Sequence, residues 1–317
     1  MKKLMISMLA MAAMVSCTSE GILDDQDPVI SDGLVPIKMT AEIGHLTTKA
    51  AIGQNEADGT LKADLAGVNF LRSDGEAADW STLGTPIQAS ILKADAAAHI
   101  AEGTIKFAEG SEQYYPKDGS TTHLVGYYPA ATSTNNGIVS WTITGKEDII
   151  ISGVESGSKT SAAEISFAFS HQLTQLQFTV KAPTGEPLTG EKLKSITVKK
   201  QRTTAQFDPD ASGVTFTGDA TNDLTTENPT TDTDLSDTGV SGGTLLIEPS
   251  AAAADFDIEV VTVDADSKEK TYKGTVKIGA AATWSYDVNL TISQQEVTGT
   301  ATIGQWTSGE PVNDNII

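Results

Sequence analysis

Trp284-Ser285-Tyr286-Asp287-Val288-Asn289-Leu290-Thr291-Ile292 alternates without a break. Trp284, Tyr286, Val288, Leu290 and Ile292 fall on one side, and Ser285, Asp287, Asn289 and Thr291 on the other. A repeat of two is the signature of an extended strand with one buried face, because successive side chains point to opposite faces. The same pattern recurs upstream. Ile165, Phe167 and Phe169 alternate, and Leu176, Phe178 and Val180 continue after His171. Near the start, Ile37, Met39, Ala41 and Ile43 oppose Lys38, Thr40 and Glu42.

Further strand candidates lie between these. GVNFLR (67–72), GTIKFA (103–108), HLVGYY (123–128, ended by Pro129) and IVSWTIT (138–144) belong to the first half. Leu193 to Lys199, Thr215 to Thr217 and Leu245 to Ile247 belong to the second, and Phe256 to Val263 reads as a hairpin partner of Thr271 to Ile278. Turn chemistry separates them, as at Lys117-Asp118-Gly119 and Asn135-Asn136-Gly137. The alanine-rich stretch Ala89 to Ala101 predicts a short helix, and the Thr/Asp/Asn-rich stretch Asp219 to Gly243 a long exposed loop. No long amphipathic helix and no adjacent βαβ units appear. The expected class is therefore all-β, built as antiparallel sandwiches. A Gly/Ser-rich stretch, Ser152 to Ala163, marks the expected domain boundary, dividing 34–160 from 161–317.

The first residues read as an export signal. Lys2 and Lys3 precede an apolar run from Leu4 to Val15, far shorter than the roughly 20 residues that span a bilayer. The run ends at Met14-Val15-Ser16-Cys17, which resembles a bacterial lipobox with Met14 in the usual leucine place. Cys17 is the single cysteine of the chain, so intrachain disulfides are impossible. The competing reading is an ordinary signal peptide with a chance cysteine. Residues 1–16 are thus expected to be removed, Cys17 acylated, and the acidic stretch 17–33 left as a flexible tether.

Removal of Lys2 and Lys3 lowers the basic count from 21 to 19 against 42 acidic residues, a formal charge of −23. Such a surface repels nucleic acid. Calcium binding is the functional reading of the acidity. Solubility is the plain one, and the scatter of the acids favours it. Four widely spaced histidines, with no HExxH, CxxC, EF-hand or GxSxG pattern, offer no metal site, cofactor site or catalytic residue. His171 follows a buried face and reads as a core or edge histidine rather than a base. Lys49, in the small polar stretch His45 to Ala51, reads either as a surface lysine or as a site where a protease frees the strand before it.

Several stretches together resemble the fimbrillins, subunits of the type V pili of Bacteroidetes. They are the lipobox at Cys17, Ile37 to Lys49, Tyr114-Tyr115-Pro116, Gly126-Tyr127-Tyr128-Pro129, Phe167 to Leu173, Trp284 to Leu290 and Ile303-Gly304-Gln305-Trp306. The resemblance implies two tandem transthyretin-like β-sandwich domains and no enzymatic activity. It implies a lipoprotein taken to the outer membrane and cut by a trypsin-like surface protease, here between Lys49 and Ala50, with Arg72 a second basic candidate beside an apolar run. It implies that losing the strand of Ile37, Met39, Ala41 and Ile43 opens a groove. A C-terminal strand of another subunit fills that groove, here Val297 to Trp306 with Val297, Ala301 and Ile303 inward. The tail from Thr307 to Ile317 extends that strand or packs locally. Partners are then other pilus subunits, the outer membrane and the protease. The competing function is a surface glycan-binding lipoprotein, for which Trp80, Trp141, Trp284 and Trp306 would have to be exposed platforms.

Overall fold

The computed structural model describes residues 34–43, 60–81, 85–161, 163–185, 188–211, 213–227, 233–250, 252–278, 284–293 and 297–304. Cys17, Lys49, Ala50 and Trp306 lie outside the described residues. Among the described residues twenty strands run in chain order: β1 Met39–Ile43, β2 Leu65–Asp74, β3 Ile87–Ile91, β4 Ile105–Phe107, β5 Thr122–Tyr128, β6 Ser133–Asn135, β7 Ile138–Thr142, β8 Ile150–Gly157, β9 Ile165–His171 and β10 Thr174–Lys181. They continue with β11 Leu188–Gln201, β12 Thr204–Phe207, β13 Val214–Thr217, β14 Asn222–Glu227, β15 Asp234–Leu235, β16 Val240–Ile247, β17 Ala254–Val263, β18 Glu269–Ile278, β19 Ser285–Ile292 and β20 Val297–Gly304. No helix occurs among the described residues, so the all-β expectation holds.

Seven strands form the sheet β1-β9-β8-β5-β2-β3-β4. Thr104, just ahead of β4, bridges back to Thr40 in β1, so the sheet returns on itself around an apolar interior. Val68, Phe70, Leu124, Ile150, Phe167 and Phe169 fill that interior, each with almost no exposure. Phe70 meets Phe167 and Phe169 edge-on, with centroids 5.1 Å and 6.3 Å apart. Gly126 explains part of the GYYP motif. A Cβ there would lie 2.5 Å from the Phe169 ring and 2.8 Å from the Phe70 ring.

Strands β2 and β5 are buried on both faces over much of their length, which is why they read as apolar runs rather than alternations, and β8 is buried on both faces only from Ile150 to Ser152. Phe70, Leu124 and Ile150 point into the first cluster. Their neighbours Leu71, Val125 and Ile151 join a second, larger cluster shared with the rest of the chain. A small sheet, β13-β12-β7-β6, contributes Val139, Trp141, Ala205 and Phe207 to it. The remaining sheets, β16-β10-β19-β20 and β14-β11-β17-β18, pack face to face. At their contact, Gly242 sits against Ile196 and Gly299 against Val276.

Strand β19 keeps its predicted alternation, with Tyr286, Val288, Leu290 and Ile292 buried. The hairpin of β17 and β18 pairs in register from Ala254↔Ile278 to Val263↔Glu269. Three expectations are corrected. Two of the four sheets are mixed, because β1–β9 and β10–β19 are parallel pairs, while the other two are antiparallel throughout. The stretch Ala89 to Ala101 holds no helix. Its start completes β3, paired with β2 and β4, and the alanines form a turn closed between Asp95 and Ile100. Within 219–243, β14 and β15 pair with β11, so that stretch is not simply a loop. Residue 160 falls between β8 and β9, two strands of the same sheet.

A buried carboxylate ties the last sheet together. Glu191 of β11 accepts hydrogen bonds from Tyr272 Oη at 2.9 Å and Thr262 Oγ1 at 3.0 Å, and pairs with Lys270. Burial works to raise its pKa, but the bonds from Lys270, Tyr272 and Thr262 outweigh burial and hold it below the ordinary glutamate range. A depressed folded pKa contributes stability above the unfolded value, about 4.3, and that stability is lost as pH falls through the folded value. Glu191→Gln should therefore flatten the acid limb of a stability–pH curve measured by urea denaturation. An unchanged limb would show that the network does not contribute.

Candidate functional site

Strand β1 is short and comes first among the strands of the described residues. Its alternation works as read: Ile37, Met39 and Ala41 are buried in the first cluster, Ile43 is half-buried against it, and Lys38 and Glu42 face solvent. It is not a free edge. Along one side it runs parallel to β9, in register from Met39↔Ile165 through Ala41↔Phe167 to Ile43↔Phe169. Ile165 N donates to the Lys38 carbonyl at 2.9 Å.

The other side meets two loop segments. Ala41 N donates to the Gly103 carbonyl at 2.8 Å, Ile37 N to the Gln113 carbonyl at 2.9 Å, and Tyr115 N to the Val35 carbonyl at 3.0 Å. Gly103 is demanded here twice over. Its φ is +80°, and a Cβ would lie 2.2 Å from the Ala41 carbonyl oxygen. β1 is thus a closing stave, hydrogen-bonded along both edges over an aromatic interior. Its removal would leave two rows of backbone groups unpaired beside an apolar slot. Such a slot is a template for another strand.

At the other end of the chain, β20 pairs antiparallel with β19, from Ser285↔Gly304 to Ile292↔Val297, at the edge of its sheet. Val297 and Ala301 are buried, while Gly299 contributes no side chain. The backbone of Ile303 pairs with Tyr286. The two strands named by the sequence therefore lie in different sheets.

Arg72, the second basic candidate for cutting, lies within β2, and its guanidinium is engaged by Asp74, Gln113 and the Tyr114 carbonyl. Trp80 and Trp141 are buried, Trp141 edge-on to Tyr127 with centroids 5.7 Å apart, and Trp284 is half-buried. None of these three is an exposed platform. His171 is buried, with Nδ1 2.9 Å from Asp148 Oδ1. Sequence reading anticipated its burial but not its partner. It named Gly103 within a strand candidate and Tyr114-Tyr115-Pro116 as a motif but set neither beside β1, because neither carries a local pattern that names its neighbour. Among the described residues no group of three His, Cys, Asp or Glu is placed to hold a metal ion.

A family model described as fimbrillin-like matches residues 45–306. A Bacteroides uniformis protein described as "Putative fimbrium subunit Fim1C" is 28% identical over 324 residues, covering 98% of this chain and 97% of that protein. Two crystal structures, each described as a "putative cell adhesion protein", are similar in fold. The one from Bacteroides uniformis has a TM-score of 0.61 at 21% identity, covering 87% of this chain and 99% of that one. The one from Bacteroides ovatus has a TM-score of 0.57 at 16% identity, with the same coverage, 87% and 99%.

Proposed function

Because this chain belongs to the fimbrillin-like family, we propose that it is a structural, non-enzymatic subunit of a cell-surface pilus, polymerised by exchange of β1 for a strand from another subunit. In this reading Cys17 is acylated and anchors the precursor to the outer membrane. The sandwiches are tandem transthyretin-like domains. A trypsin-like surface protease cuts between Lys49 and Ala50, and the segment carrying Ile37, Met39, Ala41 and Ile43 departs. The incoming strand comes from the C-terminal region of another subunit, of the same or a related kind. Here β20 supplies it, with Val297, Ala301 and Ile303 facing inward.

The observation that carries the proposal is the two-edged seating of β1 over the Phe70, Phe167 and Phe169 interior. Refilling such a slot regains about 1.5–3 kcal/mol for each large apolar side chain reburied and about 0.5–1.5 kcal/mol for each ladder hydrogen bond. Arg72 is held inside a strand, which leaves the cut to a basic residue elsewhere.

Protein stripped from the cell surface should begin at Ala50 on N-terminal sequencing and run as a ladder on denaturing gels without heating. A mature N-terminus upstream of β1, together with a single unheated band, would rule the mechanism out.

A further inference from the structure

Arg72 does not touch β1, yet it holds one of the segments that does. Its Nη1 donates to Gln113 Oε1 at 2.7 Å and its Nη2 to the Tyr114 carbonyl at 2.9 Å. The guanidinium is itself fixed from behind. Nε donates to Asp74 Oδ1 and Nη2 to Asp74 Oδ2, both at 3.0 Å, and Thr122 Oγ1 donates to Asp74 Oδ1 at 2.7 Å. The side chain is only 19% exposed. Residues 113–115 form no strand of their own, though Tyr114 bridges Pro36 and its two neighbours make the backbone bonds to Ile37 and Val35. Those bonds vanish when β1 leaves. The bonds from Arg72 are made to Asp74, Gln113, Tyr114 and Thr122, none of which belongs to β1.

We infer that Arg72 is a positioning residue for the emptied slot: it keeps the 113–115 rail in place, so that a strand from a second copy of the chain meets two preformed edges. The inference rests on the reading of β1 as removable. The chemistry favours arginine, because a planar fork grips a carbonyl and an amide oxygen at once while its remaining donors lie on a carboxylate. Without that grip the rail keeps its buried Tyr115 side chain but loses the hold on Gln113 and Tyr114, and each incoming strand must first order them, which costs conformational entropy at every association.

The test uses the chain cut after Lys49 and freed of its N-terminal piece, with a synthetic peptide of residues 35–43 as probe. Arg72→Gln should bind the peptide about tenfold more weakly, a change of about 1.4 kcal/mol, chiefly through slower association. The uncut variant should keep its melting temperature to within a few degrees. Gln113→Ala, which removes one of the two grips, should show a smaller loss in the same direction. Wild-type rebinding by both variants would overturn the inference. So would a fall in uncut stability as large as the fall in rebinding, since that describes a merely structural residue. Should Arg72→Gln fail to fold, Gln113→Ala decides alone: slower rebinding supports the inference and wild-type rebinding overturns it. If the emptied wild type takes back the peptide but never polymerises, the pilus mechanism fails, and the role of Arg72 is still judged on the peptide.

Discussion

Cysteines introduced at Thr40 and Thr104 should abolish polymerisation of the cut chain, and reductant should restore it. The two residues form an antiparallel bridge between β1 and the segment ahead of β4. Opposed residues of an antiparallel pair have Cα atoms about 4.5–5.5 Å apart, inside the range a disulfide accepts. Both positions are partly exposed, so the substitutions leave the interior intact. The native Cys17 would be replaced by serine in this variant to prevent mispairing. With the disulfide closed, cutting after Lys49 breaks the chain but cannot release the stave, and the slot stays filled. The contrast should be nearly complete: monomer without reductant and a ladder on unheated gels with it. If the oxidised, cut chain polymerises as readily as wild type, the slot beneath β1 is not where subunits join.

Phe167→Ala should cost about 3–5 kcal/mol of stability, the ordinary range for deleting a large buried aromatic. Phe167 has no exposed surface. It stands edge-on to Phe70, with centroids 5.1 Å apart, and tilted against Phe169 at 6.5 Å. Its register partner is Ala41, so one of the two phenylalanines of β9 sits across from the smallest inward residue of β1. With so small a neighbour, the cavity left by the ring has little to close it. Urea denaturation should show a lower midpoint with an unchanged slope. A loss under about 1 kcal/mol would mean that the interior around β1 relaxes freely and is no close-packed slot.

The two experiments separate what the strand contributes from what the slot contributes. The cysteine pair leaves every apolar contact in place and removes only the freedom to depart. Phe167→Ala leaves that freedom and weakens the surface that any strand, native or incoming, must cover.

Where a strand alternates, its own residues name its buried face, and the structure agrees. Ile165, Phe167, Phe169 and His171 are buried while Ser166, Ala168 and Ser170 are exposed. Failures came where local preference met a stronger partner. Alanine favours helix, but Ala89 is paired within β3, and Ala96 to Ala98 are too few to sustain a helical run within the turn closed between Asp95 and Ile100. The threonines of Asn222–Glu227 looked like loop because few apolar residues accompany them. Threonine is nonetheless a good strand former, and β11 offered an edge on which Leu224 and Thr226 could be buried.

The order of residues alone sufficed to show an all-β class, as the described residues have it, and that β1, β9 and β19 each have one oily face. It did so because the period of two is a property of consecutive residues. Which strands became neighbours was settled by packing in three dimensions. It set β1 parallel to β9, closed the ring at Thr104, brought Gly103 against the Ala41 carbonyl, and let Arg72 reach from β2 to the 113–115 segment. Those pairings join residues up to 126 positions apart, as Met39 and Ile165 are. They depend on how whole sheets fit around a shared interior, which no short stretch of chain encodes.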